Sequence, residues 1–285
     1  MTWLQRIRQR LADPVAAAPE FAVDAAARTN VGRVREGNED SVLFVRPRQQ
    51  ALQANRGVLA VVADGMGGAN SGEIASRMAC QTISEVYFAA SGSPQQALHA
   101  AFMAANQRIF AASEESAETR GMGTTAAAVA VVGNTAWVAH IGDSRIYLLR
   151  ESTIYQMSQD DSLVAQMVRD GYITLEHARS HEDRNILLRA LGTKPEVELS
   201  SAPQPIECHP ADRFLLCSDG LHDLVSEEEM LETASSLRMN LAVERLVEMA
   251  NSRGGPDNIS VILVSVDLPR ALQVSNVETR EVVVG

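Results

Sequence analysis

The sequence predicts one α+β domain in which sheet layers are covered by helices on the outside. Strand-like and helix-like segments alternate from Phe21 onward without a change in composition. Several strand-like runs are short and separated by glycine-containing breaks, which is typical of antiparallel sheets. A length of 285 residues is enough to bury a sizeable core. The folded domain is expected at residues 21–268.

Residues 1–20 are expected to form a short basic helix and a linker ahead of this domain. Trp3, Leu4, Ile7 and Leu11 recur at helical spacing, arginines stand between them, and an Ala/Pro stretch follows. One interpretation is a loosely docked terminal helix, and the alternative is a basic helix that binds an interface or a partner. The apolar residues are interrupted too often for a secretory signal.

Two strands and two helices are predicted in the first half of the domain. Residues 57–63 form an uninterrupted apolar run, which favours a buried strand, and residues 41–45 form a shorter one. Residues 72–90 and 94–112 are rich in alanine, and their apolar residues have the spacing of amphipathic helices.

Three short β-rich runs follow at residues 124–132, 135–141 and 145–150. Gly133-Asn134 separates the first two, and Gly142-Asp143-Ser144 separates the last two. Tight glycine-containing breaks are typical of hairpins. The three runs are therefore predicted to form an antiparallel meander, with Asp143 at a hairpin tip.

The last third of the chain begins with a polar segment, residues 158–190, which is interpreted as a flap with some helix and no strong strand. Strand and helix signals then alternate again, with strands predicted at 213–217 and 259–266 and helices at 226–236 and 240–252. Residues 269–285 are polar and are predicted to be a loose tail.

The composition excludes some classes of partner. The net charge is −11, whereas nucleic acids and anionic membranes bind basic surfaces, so neither is expected as the main partner. No apolar run approaches the roughly 20 residues that a membrane span needs.

Cysteine usage indicates a reducing compartment. Cys80, Cys208 and Cys217 are scattered, odd in number and without a Cys-x-x-Cys pair, so neither a disulfide framework nor a zinc site is expected. Cys217 lies in an apolar strand and is expected to be buried and inert. The protein is therefore expected to be cytoplasmic.

Acidic residues recur where predicted strands begin or end. Asp64 follows one apolar strand and precedes Gly65, Asp219 follows another, and Asp257 directly precedes a third. Asp143 lies in the predicted hairpin turn, and Asn38-Glu39-Asp40 precedes the run at 41–45.

Carboxylates at the mouth of apolar strands are costly to desolvate unless a cation or hydrogen bonds compensate. A neighbouring glycine lets the backbone approach a ligand and offers its carbonyl. Mg²⁺ and Mn²⁺ prefer such oxygen ligands. Each Asp-Gly pair alone is more typical of an ordinary turn, but five acidic sites in one chain favour a carboxylate-bound metal site.

The chain resembles the type 2C (PPM) family of metal-dependent serine/threonine protein phosphatases, in its compact bacterial form. The resemblance covers about residues 22–267. It rests on seven motifs in the order of the family: VREGNED at 34–40, VADGMGG at 62–68, GMGTT at 121–125, HIGDSR at 140–145, RALG at 189–192, LCSDGL at 216–221 and DNISV at 257–261.

The resemblance implies a β-sandwich of two antiparallel sheets flanked by helices, with a dinuclear metal cleft at one end, and makes residues 21–268 the phosphatase catalytic domain. It implies two tightly bound Mn²⁺ or Mg²⁺ ions and a weaker third. A water bridging the two cations is expected to hydrolyse phosphoserine and phosphothreonine in proteins, opposing a bacterial serine/threonine kinase.

Site roles follow from the resemblance, residue by residue. Arg35 is expected to bind the substrate phosphate, because its planar fork suits phosphate oxygens. The expected metal ligands are Asp64 as the bridge with the Gly65 carbonyl, Asp219 and Asp257 at one cation, Asp40 with Glu39 nearby at the other, and Asp143 with Asp219 at the third.

Two positions depart from the pattern of the family. Met66 stands where many eukaryotic relatives have a histidine proposed as general acid, and methionine has no proton to donate. Asp161 stands where the family commonly has histidine, which is expected to change metal or substrate contacts near the flap. Of the other histidines, His140 is interpreted as a packed strand residue, and His177 and His181 as solvated loop residues.

Two rival functions are considered. The first is a pseudophosphatase that binds without catalysis, which loss of a bridging aspartate would favour; every expected ligand is present. The second keeps the chemistry but acts on an anti-sigma-factor antagonist, and such relatives usually carry sensor domains, for which this chain has little room.

Overall fold

The computed structural model describes residues 21–67, 71–201, 204–269 and 282–284. These residues form two antiparallel sheets packed face to face, with helices on both outer sides. The predicted α+β sandwich is thereby confirmed. The helix predicted within residues 1–20 lies outside the described residues.

The first sheet contains five strands in the described residues, and every neighbouring pair is antiparallel. Their order across the sheet is β1 (Ala22–Asn30), β12 (Ile259–Asp267), β11 (Asp212–Cys217), β7 (Arg145–Arg150) and β8 (Thr153–Gln156).

The second sheet is built around the apolar strands of the first half of the chain. Its order is β10 (Ile206–Glu207), β6 (Thr135–Ile141), β5 (Ala126–Val132), β3 (Val58–Met66), β2 (Asp40–Val45) and β13 (Val282–Val284). Two short strands extend it, with β4 (Gly123–Thr124) on the end of β3 and β9 (Ser200–Ser201) on β6.

Helices cover the outer faces of the sandwich. The second sheet carries α1 (Gln50–Arg56), α2 (Ser71–Ala89) and α3 (Pro94–Glu115). The first sheet carries α6 (Asp219–His222), α7 (Glu227–Ser236) and α8 (Met239–Ser252). The segment between β8 and β9 holds α4 (Leu163–Arg169) and α5 (Leu175–Arg179).

The central strands are apolar throughout because both of their faces are buried. In β3, Val58, Ala60 and Val62 point between the two sheets, and Leu59 and Val61 point toward α2 and α3. Successive side chains of a strand point to opposite faces, so a strand between two apolar layers has no polar position. This explains the uninterrupted run that predicted the strand.

The predicted helices and the long strands are confirmed, with ends shifted by up to three residues. Serine caps define two of the starts: Ser93 and Gln96 form a capping box at α3, and Ser226 and Glu229 form one at α7. Strands β1 and β8 and helix α1 were not predicted. In β1, small and charged residues replace the apolar run that marks the other long strands.

The predicted meander is wrong at its second turn. Strand β6 pairs with β5 in the second sheet, whereas β7 lies between β11 and β8 in the first. Gly142-Asp143-Ser144 is therefore a crossover between sheets. Gly142 has a φ of +93°, and a Cβ there would lie 2.6 Å from Thr125 Cγ2, so a side chain would clash at this corner. Asp143 thus lies at the end of the sandwich, between the sheets, and not at a hairpin tip.

Part of the predicted loose tail is a strand. Val282–Val284 pairs antiparallel with β2, opposite Val42–Phe44. Three consecutive β-branched residues beside an open strand edge suit this pairing.

No helix in the described parts of the chain combines the length and the apolar character that crossing a membrane requires.

Candidate functional site

The predicted acidic residues converge at one end of the sandwich. Asp40 begins β2 and stands directly opposite Asp64 near the end of β3. Antiparallel pairing also brings the end of β11 to the start of β12, so Asp219 and Asp257 lie at the same end. The topology of both sheets therefore assembles one cleft from residues that are far apart in sequence.

Asp40 is buried at the base of this cleft, 5% exposed. Its Oδ2 accepts a hydrogen bond from Ser218 Oγ at 2.8 Å, and Ser218 Oγ in turn accepts from the Ser260 amide at 3.0 Å. Ser218 directly precedes Asp219. One hydroxyl group thus fixes the spacing between β2, β11 and β12 where the carboxylates meet.

The backbone of Asp64 is held on both sides of its side chain. Its amide donates to Thr125 Oγ1 at 3.0 Å. Its carbonyl accepts from the Thr125 amide and from Thr124 Oγ1, both at 2.8 Å. Since its main-chain polar groups are satisfied in this way, the half-buried carboxylate is free to face the cleft.

Two glycines allow the backbone next to Asp64 to pack tightly. The Gly65 amide donates to the Glu39 carbonyl at 3.1 Å, and a Cβ on Gly65 would lie 2.1 Å from the carbonyl oxygen of Gly72. A Cβ on Gly72 would lie 2.7 Å from the carboxyl carbon of Glu39. Larger residues would push Glu39 out of the cleft.

Arg35 lies at the rim of the same cleft. Its side chain is 53% exposed, and Nη2 donates to Asp257 Oδ2 at 2.6 Å. The neighbouring Asn258 holds the arginine-bearing loop, because its side-chain amide donates to the Val31 and Gly37 carbonyls at 2.9 and 3.0 Å. The structure therefore brings together two residues that are 222 positions apart in sequence.

Asp143 joins the cleft from the crossover between β6 and β7. Its carbonyl accepts from His222 Nε2 at 3.1 Å, and His222 lies one helical turn after Asp219. The next residue, Ser144, has its Oγ 2.6 Å from Thr125 Oγ1, which also binds the Asp64 amide. Asp143 and Asp64 are thus supported by connected hydrogen bonds.

The cleft disfavours several negative charges at once. Burial raises the pKa of Asp40 to about 7, and Asp219 and Asp257 add to this rise although serine hydroxyls oppose it. Burial together with repulsion from Asp219 raises the pKa of Asp143 to about 7. The pKa of Asp64 lies well above its ordinary value, mainly because the carboxylate is buried and also because the charge of Asp40 repels it. A cation would relieve this repulsion.

The donor set fits a hard divalent cation. Asp40 Oδ1 and Asp219 Oδ1 are buried and lack a hydrogen-bond partner among the described residues. Such oxygens are what Mg²⁺ and Mn²⁺ bind. As the described side chains are placed, no three of Asp, Glu, His or Cys stand close enough together to hold an ion, and Asp257 is turned to Arg35. The fit therefore rests on the donor chemistry and on the two unpartnered oxygens.

Sequence reasoning missed the hydroxyl and amide groups that support the carboxylates. Ser218, Ser260, Thr125 and Asn258 are all buried polar residues beside a cleft aspartate. Three of them occur inside or next to the Asp-containing motifs. Ser260 was signalled as a polar residue within an otherwise largely apolar strand. Ser218, Thr125 and Asn258 stand directly before or after a strand, where polar residues are ordinary.

The structure gives the surroundings of the histidines, of Cys217 and of Met66. His140 is buried in β6, with Nε2 3.0 Å from both the backbone oxygen and nitrogen of Gln159, which confirms the packed strand residue. His177 is exposed and His181 half-buried in the flap. Cys217 is buried and free. Met66 lies at the end of β3, and a Cβ on Gly123 would lie 2.8 Å from its Cε.

The sequence is similar to bacterial serine/threonine phosphatases over most of its length. A family model described as protein phosphatase 2C matches residues 35–263. The serine/threonine protein phosphatase PstP of Mycobacterium tuberculosis is 41% identical over 242 residues, which are 85% of this chain and 44% of PstP. The serine/threonine phosphatase stp of Listeria monocytogenes is 37% identical over 251 residues, 86% of this chain and 96% of stp. The chain thus spans less than half the length of the mycobacterial relative.

Solved structures share the fold. The catalytic domain of the serine threonine protein phosphatase PstP, in complex with two manganese ions, superposes with a TM-score of 0.75 at 38% identity. The alignment covers 87% of this chain and 99% of that domain.

Proposed function

The chain belongs to the protein phosphatase 2C family, and from this premise we propose that it hydrolyses phosphoserine and phosphothreonine in proteins with the help of two Mn²⁺ or Mg²⁺ ions. The carrying observation is the cleft that Asp40, Asp64 and Asp219 line beside the exposed guanidinium of Arg35. The catalytic domain is assigned to residues 21–268.

Each cleft residue receives the role that its position supports. Asp64 stands opposite Asp40 across the paired strands and is assigned to both cations, with the Gly65 carbonyl beside it. The remaining ligands are Asp219 and Asp257 for one cation, Asp40 with Glu39 nearby for the other, and Asp143 with Asp219 for a weaker third. When bound, the cations would polarise phosphate oxygens and activate water as a nucleophile near neutral pH.

Arg35 is assigned to the substrate phosphate. It is exposed at the rim, it is permanently charged, and its fork can donate to two phosphate oxygens. Its hydrogen bond to Asp257 fixes the guanidinium beside the carboxylates. The protein thereby positions the phosphoryl group next to the metal ligands without a side-chain nucleophile.

The partners and the cellular location are part of the same proposal. The partners are phosphorylated proteins, namely a serine/threonine kinase and its targets, which makes the role one in signalling. The proposed location is the cytoplasm, and the three free, buried cysteines support it, because a reducing compartment keeps thiols unpaired.

Hydrolysis of a phosphothreonine peptide is expected to require added Mn²⁺ or Mg²⁺ and to stop with a chelator, because the proposed chemistry takes its activated water and its charge stabilisation from the cations. Phosphate release is measured after EDTA treatment and again after Mn²⁺ is restored. Full activity in metal-free buffer would contradict the two-metal mechanism. Tight binding of the peptide without release, in saturating Mn²⁺, would support the non-catalytic pseudophosphatase instead.

Arg35→Ala is expected to lower kcat/KM for the phosphopeptide by roughly 10- to 150-fold, because it removes a charge-assisted bidentate contact worth about 1.5–3 kcal/mol. The protein should still bind its metals, which calorimetry measures, since Arg35 acts on the substrate. Arg33→Ala is the matched control, an exposed arginine two positions away. If both variants keep wild-type kinetics, Arg35 lies outside the site.

A further inference from the structure

Asp161 stands near the start of the flap, residues 158–190, at the neck of the loop 163–186 that carries α4 and α5. The two ends of this loop are joined by backbone hydrogen bonds. The Leu163 amide donates to the Ile186 carbonyl at 2.8 Å, and the Leu188 amide donates to the Asp161 carbonyl at 2.7 Å. The flap is thus a closed loop, and Asp161 belongs to its base.

The same residue holds the crossover glycine by its backbone and by its side chain. The Asp161 amide donates to the Gly142 carbonyl at 2.9 Å. The Gly142 amide donates to Asp161 Oδ2 at 3.1 Å. Asp161 therefore pairs with both the amide and the carbonyl of the buried Gly142 backbone, and without it these two hydrogen bonds would be lost.

The carboxylate of Asp161 is buried, with 1% of the side chain exposed, so it needs a compensating charge. Arg189 supplies it, because its Nη2 forms an ion pair with Asp161 Oδ1. Arg189 Nη2 also donates to Ser200 Oγ at 3.2 Å, and Ser200 lies on β9 beside β6. The pair is thus anchored to the second sheet as well as to the flap.

The glycine that Asp161 holds directly precedes Asp143. Gly142 has a positive φ, and there is no room for a side chain against Thr125, so the corner is confined on that side. His222 Nε2 holds the Asp143 carbonyl on the other side. Asp161 therefore contributes one of the few contacts that decide where the Asp143 carboxylate stands.

We propose that Asp161, paired with Arg189, is a positioning residue that holds the Gly142-Asp143 corner and connects the base of the flap to the carboxylate assigned to the third cation. Its catalytic consequence rests on the proposed function. The clamp on Gly142 is a property of the fold and can be tested without turnover.

The first test follows the Gly142 amide by hydrogen exchange in the isotope-labelled full chain. Asp161→Ala removes the acceptor, so exchange at Gly142 is expected to accelerate at least about tenfold. Asp161→Asn keeps a side-chain carbonyl that can accept from Gly142, so its protection should lie between wild type and Asp161→Ala. Asp170→Asn, an exposed flap aspartate that accepts from Gln166, is the control and should leave Gly142 unchanged. Unchanged exchange in Asp161→Ala would overturn the clamp.

The second test asks whether Asp161 acts through Asp143. In saturating Mn²⁺, Asp161→Ala is expected to lower kcat for a phosphothreonine peptide by about 10- to 100-fold with little change in KM, as for residues that orient metal ligands. In an Asp143→Ala background the same change should cost little more, because the carboxylate it positions is already gone. Equal losses in both backgrounds would overturn the positioning role.

The two tests separate this proposal from the function on which it rests. If the wild-type chain has no metal-dependent turnover, the proposed function fails, while the exchange at Gly142 still decides the clamp. If Asp161→Ala does not fold, Asp161→Asn and Arg189→Gln carry the double-variant comparison in its place. For either variant, a kcat loss that is as large in the Asp143→Ala background as in the wild-type background would overturn the positioning role.

Discussion

Asp64→Asn is expected to reduce turnover of a phosphothreonine peptide by at least about 10³-fold. Asparagine has nearly the same shape and keeps one oxygen, but it loses the charge that the assigned bridging position requires. Polarisation of the phosphate by cations is worth several kcal/mol, and each 1.36 kcal/mol corresponds to a factor of ten in rate. The backbone of this position is fixed by Thr124 and Thr125, so the substitution should leave the strand in place.

The measurement is the initial rate at saturating Mn²⁺, together with the number of bound metals by calorimetry. Asp24→Asn is the matched control, because Asp24 is an exposed aspartate on β1 at the opposite end of the sandwich, where it pairs with Arg46. Asp24→Asn should keep wild-type rates and metal content. Wild-type turnover by Asp64→Asn would remove this residue from the catalytic centre.

Much of the fold could be predicted because the core strands are buried on both faces. Residues 57–63 have no polar position, and that pattern distinguishes a central strand from an edge strand. Helices α2 and α3 were predicted for the same reason, since their apolar residues recur on the face that packs on the sheet. Strand β1 lacks such a pattern, because it lies at the edge of the first sheet as described, with β12 as its neighbour. Its residues are mostly small or polar, and Asp24 and Arg28 are charged.

The crossover at Gly142 could not be predicted from local sequence. A glycine-containing break has the same residues whether the next strand returns beside the last one or enters another sheet. Tertiary pairing decides between these two outcomes. Strand β7 pairs with β11, where Arg145 stands opposite Cys217, more than sixty residues later in the chain. The residues of a loop do not indicate which strand so far along the chain will pair with the next one.

The candidate site shows the same division. The acidic positions could be predicted, because carboxylates next to glycine at strand ends need compensation wherever the strands finally lie. Their supports could not, because Ser218 and Thr125 are unremarkable residues until the fold places their hydroxyl groups against Asp40 and Asp64. The contact between Arg35 and Asp257 also depends on the pairing of β1 with β12.

Asp219→Asn should change activity and metal-free stability in opposite directions. Burial raises the pKa of Asp219, and Asp257 and Asp223 add to the rise although His222 opposes it. A neutral asparagine removes that repulsion, so the chelator-treated variant should unfold at a higher temperature than wild type. A gain on the order of 1 kcal/mol corresponds to about 2–4 °C in a domain of this size.

The direction of the change in melting temperature distinguishes a metal ligand from a structural aspartate. Asp223, one helical turn later, differs. Burial raises its pKa, but the side-chain contact and charge of His222, together with the charges of Arg145 and Arg184, outweigh burial and leave the pKa below its ordinary value. Asp223→Asn should therefore fail to raise the melting temperature of the chelator-treated protein. With Mn²⁺ present, Asp219→Asn should lose both the stabilisation by metal and the turnover, since a ligand that binds only the folded state stabilises it. A variant of Asp219 that melts lower than wild type without metal, and still gains stability from Mn²⁺, would show that this carboxylate supports the fold and does not hold a cation.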